Sequence, residues 1–302
     1  MASNANQQLK LGLPKGSLED ATISLFERAG WKIHKHVRNY FPEINDPELT
    51  VRLCRVQEIA AYISDGILDA ALMGKDWLLE NGFDLNSLDE HLIIISDLIY
   101  SKVSNRPARW VLAVAGDSPY NKPEDLAGKR ISTELVSLTK KYFESRYMPV
   151  QIAYSWGATE AKVVEGLADA IVEVTETETT IRAHGLRIID EVLSTNTILV
   201  ANRKALADSF KQRKIKQINL LLQGALRAES LVCLKMNAPS QNLDSILDLL
   251  PSLNSPTVAS LRDSDWLSVE SVVNANLVRN LIPLLLEAGA EGILEYGLNK
   301  VI

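Results

Sequence analysis

Residues 168–186 read ADAIVEVTETETTIRAHGL, in which an apolar, β-like run breaks into the Thr/Glu segment TETETT and then resumes as a helix. That order presents hydroxyls, backbone N–H groups and a helix start at the carboxyl end of a strand, where open α/β sheets bind phosphorylated ligands. The segment therefore reads as a loop for a phosphorylated sugar. Glu173, Glu176 and Glu178 qualify this, because carboxylates repel bare phosphate and better suit ribose hydroxyls or a Mg²⁺-neutralised pyrophosphate. Thr and Glu at a helix start are also ordinary capping residues, so the loop alone leaves both readings open.

Other reactive side chains form no constellation. His34, His36, His91 and His184 fall in different segments without an HExxH pattern or an accompanying acid cluster, which argues against a metal site. Ser17, Ser137 and Ser155 lie in no GxSxG context, so nucleophilic serine chemistry has no support. Trp31, Trp77, Trp110, Trp156 and Trp266 are dispersed and read as packing groups. Cys54 and Cys233 are far apart, which suggests neither a disulfide framework nor zinc.

The elements that must position the loop alternate. LKLGL (9–13) passes through Pro14, Lys15 and Gly16 into a helix that Ser17 can cap, with Glu19 and Asp20 in its first turn and Gly30 beyond its end. VRLCRV, the helical QEIAAYISDG and the buried run ILDAALMG follow, with Lys75 and Asp76 just past that run. WVLAVAGDSP (110–119) and KRISTE (129–134) open another set. Strands alternating with helices predict parallel sheets. From about Arg203 the pattern changes: Ile215, Ile218, Leu222 and Leu226 recur at helical spacing, and the tail then reads strand, helix, strand, strand, helix, strand. This βαββαβ order is ferredoxin-like.

With 302 residues and 46% apolar content, the chain can bury more than one core, so two or three domains are expected. A net charge of −6 offers no general attraction to nucleic acid or an anionic membrane. Polyanionic substrates would need local Lys and Arg or a divalent cation. MASNANQQ lacks the basic and apolar regions of an export signal, and no run of 18 apolar residues occurs, so a soluble cytoplasmic protein is expected.

Six segments in order, LPKGSL (13–18), VRLCRVQEIAAYISDGILDAALMGKDWL (51–78), LAGKRISTE (126–134), WGATEAKVVEGLADAIVEVTETETTIRAHGL (156–186), PSLNSPTV (251–258) and GAEGILEYGLNKVI (289–302), resemble the long form of ATP phosphoribosyltransferase. That family performs the first step of histidine biosynthesis. The resemblance covers nearly the whole chain. It implies an α/β fold with a two-lobed, type II periplasmic-binding-protein-like catalytic region and a C-terminal ferredoxin-like regulatory domain that senses histidine. Residues 1–105 with 187–227 would form the first lobe and a connector helix, 106–186 the inserted second lobe, and 228–302 the regulatory domain. A homo-hexamer built from dimers is implied, as are ATP and phosphoribosyl pyrophosphate as substrates and histidine as inhibitor. The implied reaction joins N1 of ATP to C1 of phosphoribosyl pyrophosphate and releases pyrophosphate, with Mg²⁺ held mainly by substrate phosphates and no direct protein ligand assigned. Departure of pyrophosphate leaves an oxocarbenium-like centre, so positioning and charge stabilisation suffice without a covalent nucleophile.

Carried over by position, Glu173 would accept the ribose hydroxyls, and Thr175, Glu176, Thr177, Glu178, Thr179 and Thr180 form the loop around the 5-phosphate. Lys15 and Gly16 match the first turn, with Lys15 toward the pyrophosphate or the triphosphate. Arg38 and Arg55 match basic positions directed at the triphosphate, and Asp76 and Glu134 sit at strand ends facing the same cleft. Asp76 also reads as a helix cap ahead of Trp77. In the tail, Asn237, Ser255 and Thr257 match the histidine-contacting segments. One departure stands out: the family commonly has Gly where this chain has Glu178. Either the Glu side chain turns outward and the backbone keeps its path, or the sugar-phosphate site is weakened. A non-catalytic regulatory paralogue and a two-lobed solute-binding protein are the alternative readings.

Overall fold

The computed structural model describes residues 7–36, 39–83, 91–100, 106–251, 255–262 and 265–302. The first segment runs β1 (Leu9–Lys15), α1 (Glu19–Ala29), β2 (Ile33–His34), β3 (Glu43–Ile44), β4 (Leu49–Arg55), α2 (Val56–Ser64), β5 (Ala70–Gly74), α3 (Lys75–Glu80) and β6 (Leu92–Leu98). β1 lies between β4 and β5 and is parallel to both, and Leu9, Leu11 and Leu13 are fully buried. Gly12 permits the close approach of the next unit, since a Cβ there would stand 2.6 Å from Leu68 Cδ1. α2 covers this sheet through Ile59, Ala60 and Ile63, the apolar stripe that its spacing predicts.

The second segment runs β7 (Ala108–Ala115), β8 (Arg130–Thr133), α4 (Val136–Glu144), β9 (Gln151–Tyr154), α5 (Thr159–Val164), β10 (Ala170–Thr175), α6 (Thr179–Ala183) and β11 (Leu186–Thr195). These strands form a second five-stranded sheet in the order β11-β7-β10-β8-β9. The chain then returns as β12 (Thr197–Asn202) to complete the first sheet, β4-β1-β5-β12-β6, and continues through α7 (Arg203–Ala207) and α8 (Ser209–Ala228).

The parallel sheets expected from sequence are corrected in one respect. β12 runs antiparallel to both its neighbours, and β7 runs antiparallel to both of its own. Each reversed strand is the first after a crossing between sheets. A strand reached through a helix starts at the far side and runs toward the crossing, whereas a strand entered at the crossing must run away from it. The crossing also shifts an expected boundary: β11 belongs to the second sheet, so the return falls at Asn196 and not at residue 187.

The chain divides into two compact units, one holding both sheets and the other comprising Leu220–Ile302 with Arg28–Gly30. The second unit includes the end of α8, from Leu220. Its elements are β13 (Leu231–Pro239), α9 (Leu243–Leu249), β14 (Thr257–Ser260), β15 (Trp266–Asn274), α10 (Ala275–Glu287) and β16 (Glu291–Gly297), in the antiparallel order β14-β15-β13-β16. This is the expected ferredoxin-like topology. Alternation along β13 buries Val232, Leu234, Met236 and Ala238 against Ile246, Leu281 and Leu285, and the Asn274 side chain caps α10 by accepting the Asn276 N–H at 2.9 Å.

Candidate active site

A cleft of about 380 Å³ opens at the carboxyl ends of the strands, lined by Ser17, Asp76, Trp110, Glu134, Val174, Thr175, Glu176, Thr177, Thr179 and Thr180 among others. The threonine segment thus lies where the sequence places it. Thr175 Oγ1 accepts the Glu178 N–H at 2.8 Å, closing the turn, while Thr177 Oγ1 and Thr179 Oγ1 lie 2.9 Å apart. The hydroxyls at 177 and 179 are exposed, so a ligand can replace their mutual bond.

Glu178 adopts φ +62° and ψ 4°, the left-handed conformation that favours glycine. The backbone therefore keeps the path that a Gly takes. Its side chain does not line the cleft: one oxygen accepts from Arg109 Nη2 at 2.6 Å and the other from Arg182 Nη2 at 2.7 Å. Hydrogen bonds from Arg182 and Arg109 hold its carboxyl below the usual range. The expectation of Glu178 as a sugar-phosphate contact is corrected accordingly.

Glu173 occupies the opposite face of β10 from Val172 and Val174, as strand alternation requires, and is not among the residues lining the cleft. Burial pushes its carboxyl up to about 7; a hydrogen bond from Thr159 and one from the Val174 N–H oppose the rise, and the nearby Glu160 and Glu134 carboxylates add to it. Burial likewise raises Glu134, which lies just beyond β8 in the cleft wall.

Asp76 lines the cleft, but its oxygens are engaged by the protein. Oδ2 accepts from Trp110 Nε1 at 2.7 Å and Oδ1 from the Trp77 N–H at 3.0 Å, while burial raises its pKa. The helix-cap reading is corrected, since Gly74 is the N-cap and Asp76 is the second residue of α3; its carboxylate ties α3 to Trp110 of the second sheet. A second tie joins α3 to α4: the Glu80 carboxylate accepts the N–H groups of Ser137 and Leu138, each at 2.9 Å, at a helix start without a side-chain cap of its own.

The basic residues gather elsewhere. Lys15 and Arg55 end β1 and β4 as register partners. Arg55 lines a pocket of about 260 Å³ with Tyr40, Arg52, Glu58 and Tyr62, and Lys15 Nζ stands 4.1 Å above the Tyr40 ring. Arg52 lies 4.7 Å from the Tyr62 ring centre, and Arg55 5.6 Å from that of the exposed Trp156, which meets Tyr154 edge-on. Gly16 follows β1 at φ +108°. Arg38 lies outside the described residues. Arg52, Arg109, Trp110 and Glu80 were missed from sequence; the only signal was an Arg inside the half-buried strand β4, which has reason to be there if its charge meets a ligand.

In the second unit, Asn237 sits within β13 opposite Ser268, and Thr257 opens β14 opposite Glu270. β15 separates them and their registers differ by two residues, so they lie about 12 Å apart across the sheet. Ser255 is exposed just before β14.

A threonine-lined cleft between two α/β sheets, a nearby cationic pocket and an appended ferredoxin-like domain define a two-lobed protein for phosphorylated ligands. Comparison with known proteins narrows this. The ATP phosphoribosyltransferase family model matches residues 55–224, and the model of the same family's C-terminal domain matches residues 228–300. The ATP phosphoribosyltransferase of Nitratidesulfovibrio vulgaris (strain DSM 19637 / Miyazaki F) is 70% identical over 299 residues, covering 99% of this chain and all of the relative. That of Solidesulfovibrio magneticus is 64% identical, covering 98% and 99%. A solved chain from the ATP phosphoribosyl transferase (HisG:HisZ) complex of Thermotoga maritima is 26% identical, with a TM-score of 0.58, covering 72% of this chain and 96% of that one. The chain belongs to the ATP phosphoribosyltransferase family, with a catalytic region built on two five-stranded α/β sheets and the family's C-terminal domain in a ferredoxin-like topology. It is an enzyme of that type, transferring the 5-phosphoribosyl group of phosphoribosyl pyrophosphate to N1 of ATP in the first committed step of histidine biosynthesis.

The family needs a divalent metal. Among the described residues, no group of three or more His, Cys, Asp and Glu side chains could hold one. Among the described residues, no helix is long and apolar enough to cross a membrane.

Proposed function

We propose that the Thr175–Thr180 turn receives the 5-phosphate of phosphoribosyl pyrophosphate, and that Lys15, Gly16, Arg55 and Arg38 face the ATP triphosphate and the leaving pyrophosphate. The observation that carries this reading is the division of chemistry between the two pockets: threonine hydroxyls with a few carboxylates in one, arginines in the other. Thr177, Thr179 and Thr180 donate O–H and N–H groups to the phosphate. Glu134 faces the same centre from the cleft wall, and Glu173, near it but outside the cleft lining, would accept the ribose hydroxyls after a side-chain rotation toward the cleft. Arg55 and Lys15 offer cations that oxygens of a triphosphate can share.

In the reaction, the adenine N1 lone pair forms the bond to C1 as the bond from C1 to the pyrophosphate oxygen breaks. The departing pyrophosphate keeps the bonding electrons. The residues serve to align N1 with C1 and to stabilise charge on both sides of that centre. Glu134 and Glu173 are the carboxylates that would stand nearest a Mg²⁺ ion on the substrate phosphates, where the ion would supply charge neutralisation for the leaving group.

The test is formation of phosphoribosyl-ATP, followed by ultraviolet absorbance, in a Thr177→Val, Thr180→Val double variant. Each lost bond to a charged acceptor is worth on the order of 1.5 to 3 kcal/mol, so the Michaelis constant for phosphoribosyl pyrophosphate should rise steeply while that for ATP stays nearly unchanged. An unchanged sugar-phosphate constant would remove the loop assignment.

The same reading extends to regulation. Histidine inhibits through Asn237, Ser255 and Thr257, the active form is a hexamer built from dimers, and the enzyme works in the cytoplasm. Because Asn237 and Thr257 are separated by β15, one histidine is held between neighbouring copies. Thr257→Val should weaken inhibition without lowering activity measured in the absence of histidine; an equally sensitive variant would place the effector site elsewhere.

A further inference from the structure

We propose that Arg109 is a positioning residue for the phosphate loop, holding its left-handed step through Glu178. This rests on the reading of Thr175–Thr180 as the 5-phosphate site. An L-residue at φ +62° is disfavoured wherever glycine is not used, and a carboxylate at that step stands close to an incoming phosphate. Both problems meet at one residue, and one arrangement answers both.

Arg109 is the second residue of β7 and lies in register with Thr175, the last residue of β10. Its guanidinium reaches Glu178 Oε1 at 2.6 Å and Glu191 Oε2 on β11 at 3.4 Å. Arg182, one turn on in α6, takes the remaining Glu178 oxygen at 2.7 Å. The two arginines and two glutamates balance in charge, so the loop carboxylate is neutralised where it sits and turned away from the cleft. Arg182 alone is a poor holder: its side chain is 77% exposed and it rides on the same short helix that follows the turn. Arg109 ties the turn to the sheet. It touches no residue that the reading assigns to substrate other than Thr175, its strand neighbour, so it acts through Glu178.

The experiment is a double-mutant cycle on the full-length enzyme, reading Michaelis constants for both substrates and kcat. Arg109→Gln should raise the constant for phosphoribosyl pyrophosphate about threefold to tenfold, a range typical of coupled neighbours, and leave that for ATP and kcat within about twofold. Arg109→Lys, which keeps the charge without the fork, should recover part of the loss. In the Glu178→Gly background, where the backbone needs no holding and no carboxylate remains to be turned, Arg109→Gln should have no further effect. An equal rise in both backgrounds would mean that Arg109 meets substrate directly, and no rise in the native background would mean that the pair is idle; either overturns the proposal. The Thr177→Val, Thr180→Val variant measured alongside separates the two levels. If it shifts the sugar-phosphate constant and the cycle shows no coupling, Arg109 is excluded and the loop reading stands.

Discussion

The two pockets of the catalytic unit treat their arginines in opposite ways. At the second sheet, Arg109 and Arg182 are bound to Glu178 and Glu191, so the cleft presents hydroxyls and carboxylates with the cations already neutralised. At the first sheet, Lys15, Arg52 and Arg55 rest on the faces of Tyr40, Tyr62 and Trp156, and none of them makes an ion pair with a described residue. An aromatic face steadies a cation without cancelling its charge. One pocket therefore offers hydrogen-bonding groups, while the other offers positive charge that no described carboxylate cancels.

Removing cationic charge tests this contrast most strongly. Arg55→Ala should raise the Michaelis constant for ATP by roughly tenfold to a hundredfold, the worth of one charge-assisted contact. The penalty should shrink at high ionic strength, and the sugar-phosphate constant should move far less. An equal rise for both substrates would break the division between the pockets.

Glu173 offers a second test, through stability. Its folded pKa of about 7 lies above the unfolded value near 4.5, so the folded chain holds this proton more tightly. The stability that protonation contributes is complete below about pH 4.5 and is lost as pH rises through about 7. Glu173→Gln, which mimics the protonated form, should be more stable than the parent at pH 8 by on the order of 1 to 3 kcal/mol, and equal to it near pH 4.5. Thermal melts across that range read the difference. Activity should fall in the same variant, since an amide cannot accept the ribose hydroxyls as a carboxylate does. A variant no more stable at pH 8 would remove the buried-carboxylate account.

The smallest effect concerns the frame that both pockets share. Glu80→Ala leaves two N–H groups at the start of α4 without a partner, and should cost about 1 kcal/mol, as loss of a helix cap does. Both Michaelis constants should rise together, by less than in the pocket variants. A change confined to one substrate would show that Glu80 belongs to that pocket alone.

What the sequence disclosed follows the range of the interactions involved. The Thr/Glu loop, the β1-to-α1 turn and the βαββαβ tail are set by residues within a few positions of one another, and their patterns are readable. Arg109 meets Glu178 across 69 residues, and Trp110 meets Asp76 across 34. No local pattern announces such pairs, because they are created by strand register. The reversed directions of β7 and β12 were hidden for the same reason, since hydrophobic periodicity carries no sign of strand direction. The resemblance found the position of Glu178 but not its consequence, which lies in the left-handed backbone and the two arginine partners.

The return from the second sheet to the first takes a single residue, Asn196, between β11 and β12. Its side chain donates to Asp97 Oδ1 at 2.9 Å, and its carbonyl accepts the Lys75 N–H at 3.1 Å, so it is pinned to the first sheet. A connection this short has no slack to pay out, and sliding one sheet past the other would tear strand pairing on both sides of it. Rotation needs only a few dihedrals at Thr195, Asn196 and Thr197, all three of which line the cleft. Any closing of the jaws is thus a swing about an axis through the floor of the site: residues at the rim travel farthest, while the floor stays nearly still.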